Sequence, residues 1–155
     1  MLTITEKLAT ARTPDVQLTL PYQLRTKSRL RTALDTGEEV GIVLERGSVL
    51  RNGEMLLAQD GRVVRIIAAP ETVSTVCSGD PLALTRAAYH LGNRHVALQI
   101  GPDWLRYQHD HVLDEMVRGL GLDVAVEEAP FEPESGAYGG HSHAASLNGI
   151  LAVDR

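Results

Sequence analysis

The sequence predicts an α+β protein. An N-terminal all-β domain, a small barrel or sandwich, is followed by a ferredoxin-like domain of βαββαβ order and a flexible C-terminal tail. Turn signals separate short alternating segments in the first half, and two amphipathic helices alternate with strand-like segments in the second. Prolines and glycines break both periodicities near the end. We therefore expect a β-rich domain at 1–70, a ferredoxin-like domain at 71–130 and a tail at 131–155.

Short strands joined by tight turns are predicted for the first domain. Apolar and polar residues alternate over 2–5 and over 16–20, and the β-branched run 63–67 forms a further strand. Asn-Gly and Asp-Gly pairs favour hairpin turns because both residues tolerate positive φ. Four glycine pairs give such turn signals: Thr36-Gly37, Arg46-Gly47, Asn52-Gly53 and Asp60-Gly61.

Four alternating basic residues follow the second strand of this domain. On a strand they would form one basic face, which either binds an acidic partner or is a solvated sheet edge. These residues are Arg25, Lys27, Arg29 and Arg31.

The second domain begins with a strand at 72–77 and a helix. Asp80 is a good N-cap and Pro81 fits the first helical position. Spacings of three and four residues give this helix an apolar stripe, formed by Leu84, Ala87, Ala88 and Leu91. Gly92-Asn93 ends it.

Two strands, a second helix and a last strand complete the βαββαβ order. Residues 96–100 alternate as a strand, the turn 101–103 reverses the chain, and 104–108 returns. Asp110 caps the second helix and Gly121 closes it. Residues 122–126 alternate as the final strand. The stripe of the second helix is Leu113, Met116, Val117 and Leu120.

Charge and composition exclude several classes of function. The 155 residues carry a net charge of -5 at pH 7, which argues against a nucleic-acid binder. No apolar run approaches the roughly 20 residues that span a bilayer, so no membrane association is expected. The start of the chain lacks a secretory signal, and a single cysteine, Cys77, fits a reducing compartment. The expected location is the cytoplasm.

All six histidines lie in the acidic half of the chain. Residues 1–70 have a net charge of +2 and residues 71–155 a net charge of -7. On the predicted strand 96–100 the even positions face the helices, so His95 projects from the open face of the sheet. The returning strand brings it toward His109 and His111, while His141 and His143 lie in the tail. His90 reads as an ordinary helix residue.

Imidazole ligands suit Ni, Zn and Cu, so these histidines indicate either a metal site or a solvated acidic face with incidental histidines. Signatures of several enzyme classes are absent, among them G-x-S-x-G, H-E-x-x-H and G-x-x-x-x-G-K-[ST].

Four runs, in this order along the chain, resemble the UreE family of urease accessory proteins. They are LGNRHVALQI, YQHDHVLDEM, FEPESGAY and GGHSH. The resemblance implies a peptide-binding-like N-terminal domain and a C-terminal metal-binding domain that forms homodimers. It implies a metallochaperone that delivers Ni2+ to apo-urease together with other urease accessory proteins, including the maturation GTPase.

The resemblance also implies roles for particular histidines. It places His95 in a metal site shared at the dimer interface, His109 and His111 in auxiliary sites, and His141 and His143 as further tail ligands. The tail contains only two histidines, fewer than in many members of the family. Delivery of one or a few ions therefore fits this chain better than storage of many ions. Ligand type alone also admits Zn2+ or Cu2+ at the same site.

Two alternatives come from other classes of protein. A small metallohydrolase would use a histidine-bound metal and water with a general base such as Asp110 or Glu115. An interaction module would carry its histidines incidentally.

Overall fold

The computed structural model describes residues 1–136, so the predictions for His141 and His143 lie outside the described residues. The first domain has six strands and one short helix: β1 (Leu2–Lys7), β2 (Val16–Leu20), α1 (Tyr22–Arg25), β3 (Arg29–Ala33), β4 (Glu39–Val43), β5 (Met55–Ala58) and β6 (Val63–Ala68). The second domain has four strands and two helices: β7 (Pro70–Cys77), α2 (Pro81–Asn93), β8 (Gln99–Ile100), β9 (Trp104–Gln108), α3 (His111–Gly119) and β10 (Ala125–Pro130). Within the described range no helix is long and apolar enough to cross a bilayer.

The first six strands form one mixed sheet of order β2-β6-β5-β1-β4-β3. Two of its pairings, β1 with β4 and β2 with β6, are parallel. The two edge strands meet at Asp35, whose N–H donates to the carbonyl of Gln17 at 3.0 Å. The Asp35 carboxylate also accepts from the backbone N–H and the hydroxyl of Thr19, at 2.9 and 2.7 Å. These bonds nearly close the sheet, so the predicted small β-barrel domain is confirmed.

All four glycines of the predicted turns adopt positive φ, between 86° and 95°. Gly37 joins β3 to β4, and Gly61 joins β5 to β6, in antiparallel hairpins. Gly47 and Gly53 instead lie in the connection between β4 and β5, which do not pair with each other. The turn signals therefore predicted local conformation correctly, but only two of them marked hairpins.

The second sheet has the order β10-β7-β9-β8, and all three of its pairings are antiparallel. Counted within the domain this is strand order 4-1-3-2, which is the ferredoxin-like arrangement that the βαββαβ order predicts. The two helices pack on one face and bury most of the stripes read from the sequence, but Leu120, predicted as the last stripe residue of the second helix, is 38% exposed. The buried set includes Leu84, Ala87, Leu91, Leu105, Tyr107, Leu113 and Val117.

One strand is much shorter than the sequence predicts. Strand β8 contains only Gln99 and Ile100, and its ladder ends at the pair Gln99 and Arg106. The alternation of 96–100 is nevertheless used, because Val96 and Leu98 pack against the helix-side core. Since Ile100 lies on an edge strand, it remains 52% exposed.

The first residues after β10 pack between the two domains. Phe131 is fully buried, and its ring meets that of Tyr22 edge-on at 5.5 Å. The N–H of Glu132 donates to the side chain of Gln99 at 2.9 Å, and that of Glu134 donates to the carbonyl of Leu98 at 2.8 Å. Because β10 and β8 are opposite edges of the sheet, this strap (residues 131–135) crosses it. The strap has no regular structure, as predicted, but its first residues are held in place.

The predicted basic face on one strand is wrong for its first two residues, since Lys27 lies in the connection between α1 and β3. Arg25 ends the short helix α1 and its side chain is fully buried. Arg29 and Arg31 do lie on the edge strand β3 and are exposed. The alternation of basic residues therefore spans a helix end and a strand, and does not form a single stripe.

Candidate functional site

His95 occupies an unusual backbone position just after α2. Its φ is 57°, and within residues 1–136 no other non-glycine residue has positive φ. The N–H of His95 donates to the carbonyl of Gly92 at 3.0 Å, and that of Val96 donates to the carbonyl of Leu91 at 3.4 Å. This pair of bonds is a Schellman motif with His95 at the left-handed position after the helix. The side chain is exposed to solvent.

The prediction that His95 projects from the open face of a strand is therefore wrong. The helix runs on to Asn93 and needs a left-handed residue to turn the chain, so His95 belongs to the helix end. The ladder stops at Gln99 and does not align His95 with the end of β9. Its exposure, which the prediction needed, is nevertheless present.

Helix α3 ends in the same motif with the residue usual for it. Gly121, with φ of 90°, donates to the carbonyl of Arg118 at 2.9 Å, and Leu122 donates to that of Val117 at 3.4 Å. A left-handed conformation costs an L-residue about 1–2 kcal/mol, and glycine avoids this cost. Of two equivalent helix ends, one therefore carries glycine and the other an exposed imidazole in a strained conformation.

His109 and His111 flank the N-cap of α3. Asp110 accepts hydrogen bonds from the N–H groups of Val112 and Leu113 at 2.8 and 3.2 Å, which confirms its capping role. His111 is the first residue of the helix and is exposed. Glu115, one turn further along, is also exposed.

His109 is held by a buried polar network. Its Nδ1 lies 3.1 Å from Oδ2 of Asp114 and 3.2 Å from Oγ of Ser74. Asp114 is 1% exposed, and its Oδ1 accepts a 2.6 Å hydrogen bond from the hydroxyl of Tyr107. The His109 side chain itself is 36% exposed, so one edge of the ring faces the network and the other can meet solvent.

The Tyr107 hydroxyl is a permanent donor in this network. Burial, with the hydrogen bond to Asp114, raises the pKa of Tyr107 well above its usual range. Tyr107 therefore stays neutral at physiological pH and donates its proton to the Asp114 carboxylate.

A complete metal centre is not assembled within the described part of one chain. Among residues 1–136, no group of three or more His, Cys, Asp or Glu side chains is arranged to hold an ion. His95 lies at the C-terminal end of α2, whereas His109 and His111 lie at the N-terminal end of α3. The fourth and fifth predicted ligands, His141 and His143, are outside the described range.

Sequence reasoning missed the partners of His109. Tyr107 falls within the strand predicted at 104–108, and nothing in the sequence pattern predicts a contact of Tyr107 or Asp114 with His109. A signal for burial was available, because Asp114 lies beside Leu113 and three residues before Val117, both in the apolar stripe. A carboxylate at such a position faces the core and requires hydrogen-bond partners.

Comparisons with known proteins cover both domains. Residues 3–69 match the family model of the UreE urease accessory protein, N-terminal domain, and residues 71–149 match that of the C-terminal domain. Several relatives named urease accessory protein UreE align over most of their length. The protein from Alkalilimnicola ehrlichii is 63% identical over 140 residues, which cover 90% of this chain and 86% of the relative.

Two further relatives with the same name extend this range. The protein from Pseudomonas putida strain W619 is 58% identical over 144 residues, covering 92% of this chain and 89% of its own. That from Proteus mirabilis is 56% identical over 139 residues, covering 90% and 83%. The chain therefore belongs to the UreE family of urease accessory proteins, which assist urease maturation as chaperones and are not themselves enzymes.

Proposed function

We propose that this protein is a nickel carrier: it binds Ni2+ at His95 and delivers the ion to apo-urease while the urease active site is assembled. The observation that carries the proposal is the conformation of His95. An exposed imidazole occupies a left-handed position that glycine fills at the equivalent end of α3. Strain of this kind persists at sites where a side chain has a task.

The proposal includes a homodimer in which both chains contribute His95 to one site. Described residues of a single chain offer no set of three ligands, so the ion would draw its ligands from two chains and from the tail histidines. The outer face of α2 supports such a contact. Leu82 and Tyr89, seven residues apart on one side of the helix, are 56% and 65% exposed.

The charge of the chain favours a cation as cargo. The net charge is -5, and the half that contains every histidine carries -7. A field of this sign raises the local concentration of divalent cations. Nitrogen ligands also accept Zn2+ and Cu2+, so selection of nickel would come from geometry and from supply.

The mechanism is ligand exchange. An exposed site that is incompletely enclosed lets the ligands of the recipient replace those of the carrier one at a time, whereas structural zinc sites are closed by four ligands. In the proposed pathway His109, His111, His141 and His143 are auxiliary ligands that take part in loading and release. The recipients are apo-urease and its other accessory proteins, including the maturation GTPase.

Activation of apo-urease under limiting nickel tests this function. The nickel-loaded protein is mixed with apo-urease and the accessory proteins, and urease activity is measured against time. We expect His95→Ala to lose most of the activation, whereas His90→Ala, which removes an exposed histidine within α2, retains it. Equal activation by wild type and His95→Ala would overturn the assignment of delivery to His95.

A further inference from the structure

We propose that Asp114, held by Tyr107, is the positioning residue that makes His109 a metal ligand through its Nε2 atom. The inference rests on the proposed function, since it concerns an auxiliary site for the same cargo. It assigns a role to two buried residues that touch no metal themselves. Two hydrogen bonds and one close ion-pair contact, each between named atoms, support it.

The carboxylate of Asp114 lies between the Tyr107 hydroxyl and the His109 ring. Tyr107 donates its hydroxyl proton to Oδ1 of Asp114 at 2.6 Å. The second oxygen of the same carboxylate lies 3.1 Å from Nδ1 of His109. An unprotonated Nδ1 would direct its lone pair toward this negative charge, so the contact favours the tautomer that carries the proton on Nδ1.

A proton on Nδ1 also decides which nitrogen of His109 can bind a metal ion. In neutral imidazole one nitrogen carries the proton and the other has a free lone pair. With the proton on Nδ1, the lone pair is on Nε2, which lies on the opposite side of the ring from the buried carboxylate. The ring is 36% exposed, so this nitrogen has access to solvent and to a metal ion.

Buried residues of two different elements fix the orientation of the His109 ring. Asp114 and Ser74 belong to different elements, α3 and β7, and both are nearly fully buried. With the proton on Nδ1, this nitrogen donates to the hydroxyl oxygen of Ser74 at 3.2 Å and lies 3.1 Å from the Asp114 carboxylate. A metal-binding histidine commonly donates its other N–H to a carboxylate, and loss of that partner costs about 10- to 100-fold in affinity.

His111 provides the internal contrast. It lies two residues away, at the exposed start of α3, and none of the described hydrogen bonds involves its ring. His109 is therefore the ordered member of the pair, and His111 the adaptable one. Asp114 is expected to affect metal binding through His109 alone.

The test uses Asp114→Asn, which keeps the shape of the side chain but can present an amide N–H to Nδ1. That N–H would require a lone pair on Nδ1 and would move the imidazole proton to Nε2. Long-range proton–nitrogen NMR of the metal-free full chain reads the tautomer directly. We expect an Nδ1–H signal for His109 in wild type and an Nε2–H signal in Asp114→Asn. An Nε2–H tautomer in wild type would overturn the inference without any variant.

Nickel titration supplies the second readout, in a His95→Ala background that leaves only auxiliary sites. Asp114→Asn should weaken the remaining binding about 10- to 100-fold. Asp123→Asn, the same change at an exposed position of the second domain, controls for lost charge and should have no effect. Adding Asp114→Asn to His109→Ala should also change nothing further, because the two residues act as one unit.

The outcomes separate this inference from the proposed function. If nickel binds and supports urease activation but Asp114→Asn weakens binding equally with and without His109, then Asp114 acts on the fold, and the positioning role is wrong. If no variant and no wild-type sample binds nickel, the proposed function itself fails and the inference fails with it.

Discussion

The guanidinium of Arg25 is fully buried and forms a 2.7 Å ion pair with Glu132, which lies 107 residues later in the chain. It also donates to the carbonyls of Leu20 and Leu50, at 3.1 and 3.0 Å, and to that of Phe131. One side chain thus satisfies four acceptors from the barrel and from the strap. The strap is thereby fixed to the first domain as well as to the second.

Replacing Arg25 should be strongly destabilising. Arg25→Leu leaves three carbonyls and a partly buried carboxylate without their donor, and breaking a buried ion pair typically costs about 3–5 kcal/mol. We expect the free energy of unfolding, measured by urea titration, to fall by that amount. Arg29→Ala, a change at an exposed arginine of β3, should stay within about 0.5 kcal/mol of wild type.

Arg25→Lys provides a further check on the same contact. A lysine ammonium cannot reproduce the fork of donors that reaches several acceptors, so it should recover little of the lost stability. Near-complete rescue by lysine would mean that the charge alone matters and that the four-acceptor arrangement does not.

Truncation separates the strap from the residues beyond it. A chain that ends after Tyr138 keeps Phe131 and Glu132 and should retain a wild-type thermal transition, with lower capacity for nickel. A chain that ends after Pro130 loses a fully buried aromatic ring and the partner of Arg25, and should lose several kcal/mol of stability. Scanning calorimetry of both chains checks this, and equal transitions would show that the strap contributes nothing.

The sequence could predict most of the second domain because helix caps and stripes are local signals. Asp80, Pro81 and Asp110 have the capping roles that were expected, and the βαββαβ order leads directly to the observed strand order. The start of strand β8 could not be predicted from the alternation over 96–100. Val96 and Leu98 are packed against the core although they precede the strand, so the same pattern fits a coil and a strand. The helix end, which needs a left-handed residue, decided the conformation of His95.

The identity of the candidate ligands could be predicted from the sequence, but the contacts that surround them could not. Histidines in the order of the family's motifs can be read from the chain, whereas the contact of His109 with Asp114 depends on how α3 is seated against β7 and β9. Arg25 was unpredictable for the same reason, since its partners lie in three distant segments. Burial of a charged group is decided by tertiary contacts that alternation along the chain does not encode.

At the two equivalent helix ends, introducing a glycine and removing one should have opposite effects on stability. His95→Gly should raise the free energy of unfolding of the metal-free protein by up to about 1 kcal/mol, because it relieves a left-handed non-glycine residue. Gly121→Ala should lower it by about 1 kcal/mol, because it introduces the same strain. Both changes are measured by urea unfolding. Destabilisation by His95→Gly would show that the imidazole makes a structural contribution and that its strain is not functional.

An exposed ion-pair cluster gives the first domain a predictable response to acid. Arg62 pairs with Glu38 and Asp60, each at 2.8 Å. Its side chain lowers the pKa of Glu38, while its backbone N–H, followed by its side chain, lowers that of Asp60, so the side chain contributes to both shifts. A lowered pKa in the folded state stabilises the protein above the unfolded value, near pH 4, and the contribution is lost as pH falls through the folded value. Arg62→Gln should therefore lower the melting temperature at pH 7 more than at about pH 2.5. A difference that is constant with pH would contradict this.

In the proposed carrier, one tightly bound nickel ion is shared by the His95 residues of two chains. Native mass spectrometry of the nickel-loaded, gel-filtered protein counts ions and chains in the same measurement. We expect one tightly bound ion per dimer in wild type and in His90→Ala, and none in His95→Ala, with all three proteins folded. One tightly bound ion per chain, retained in His95→Ala, would contradict it.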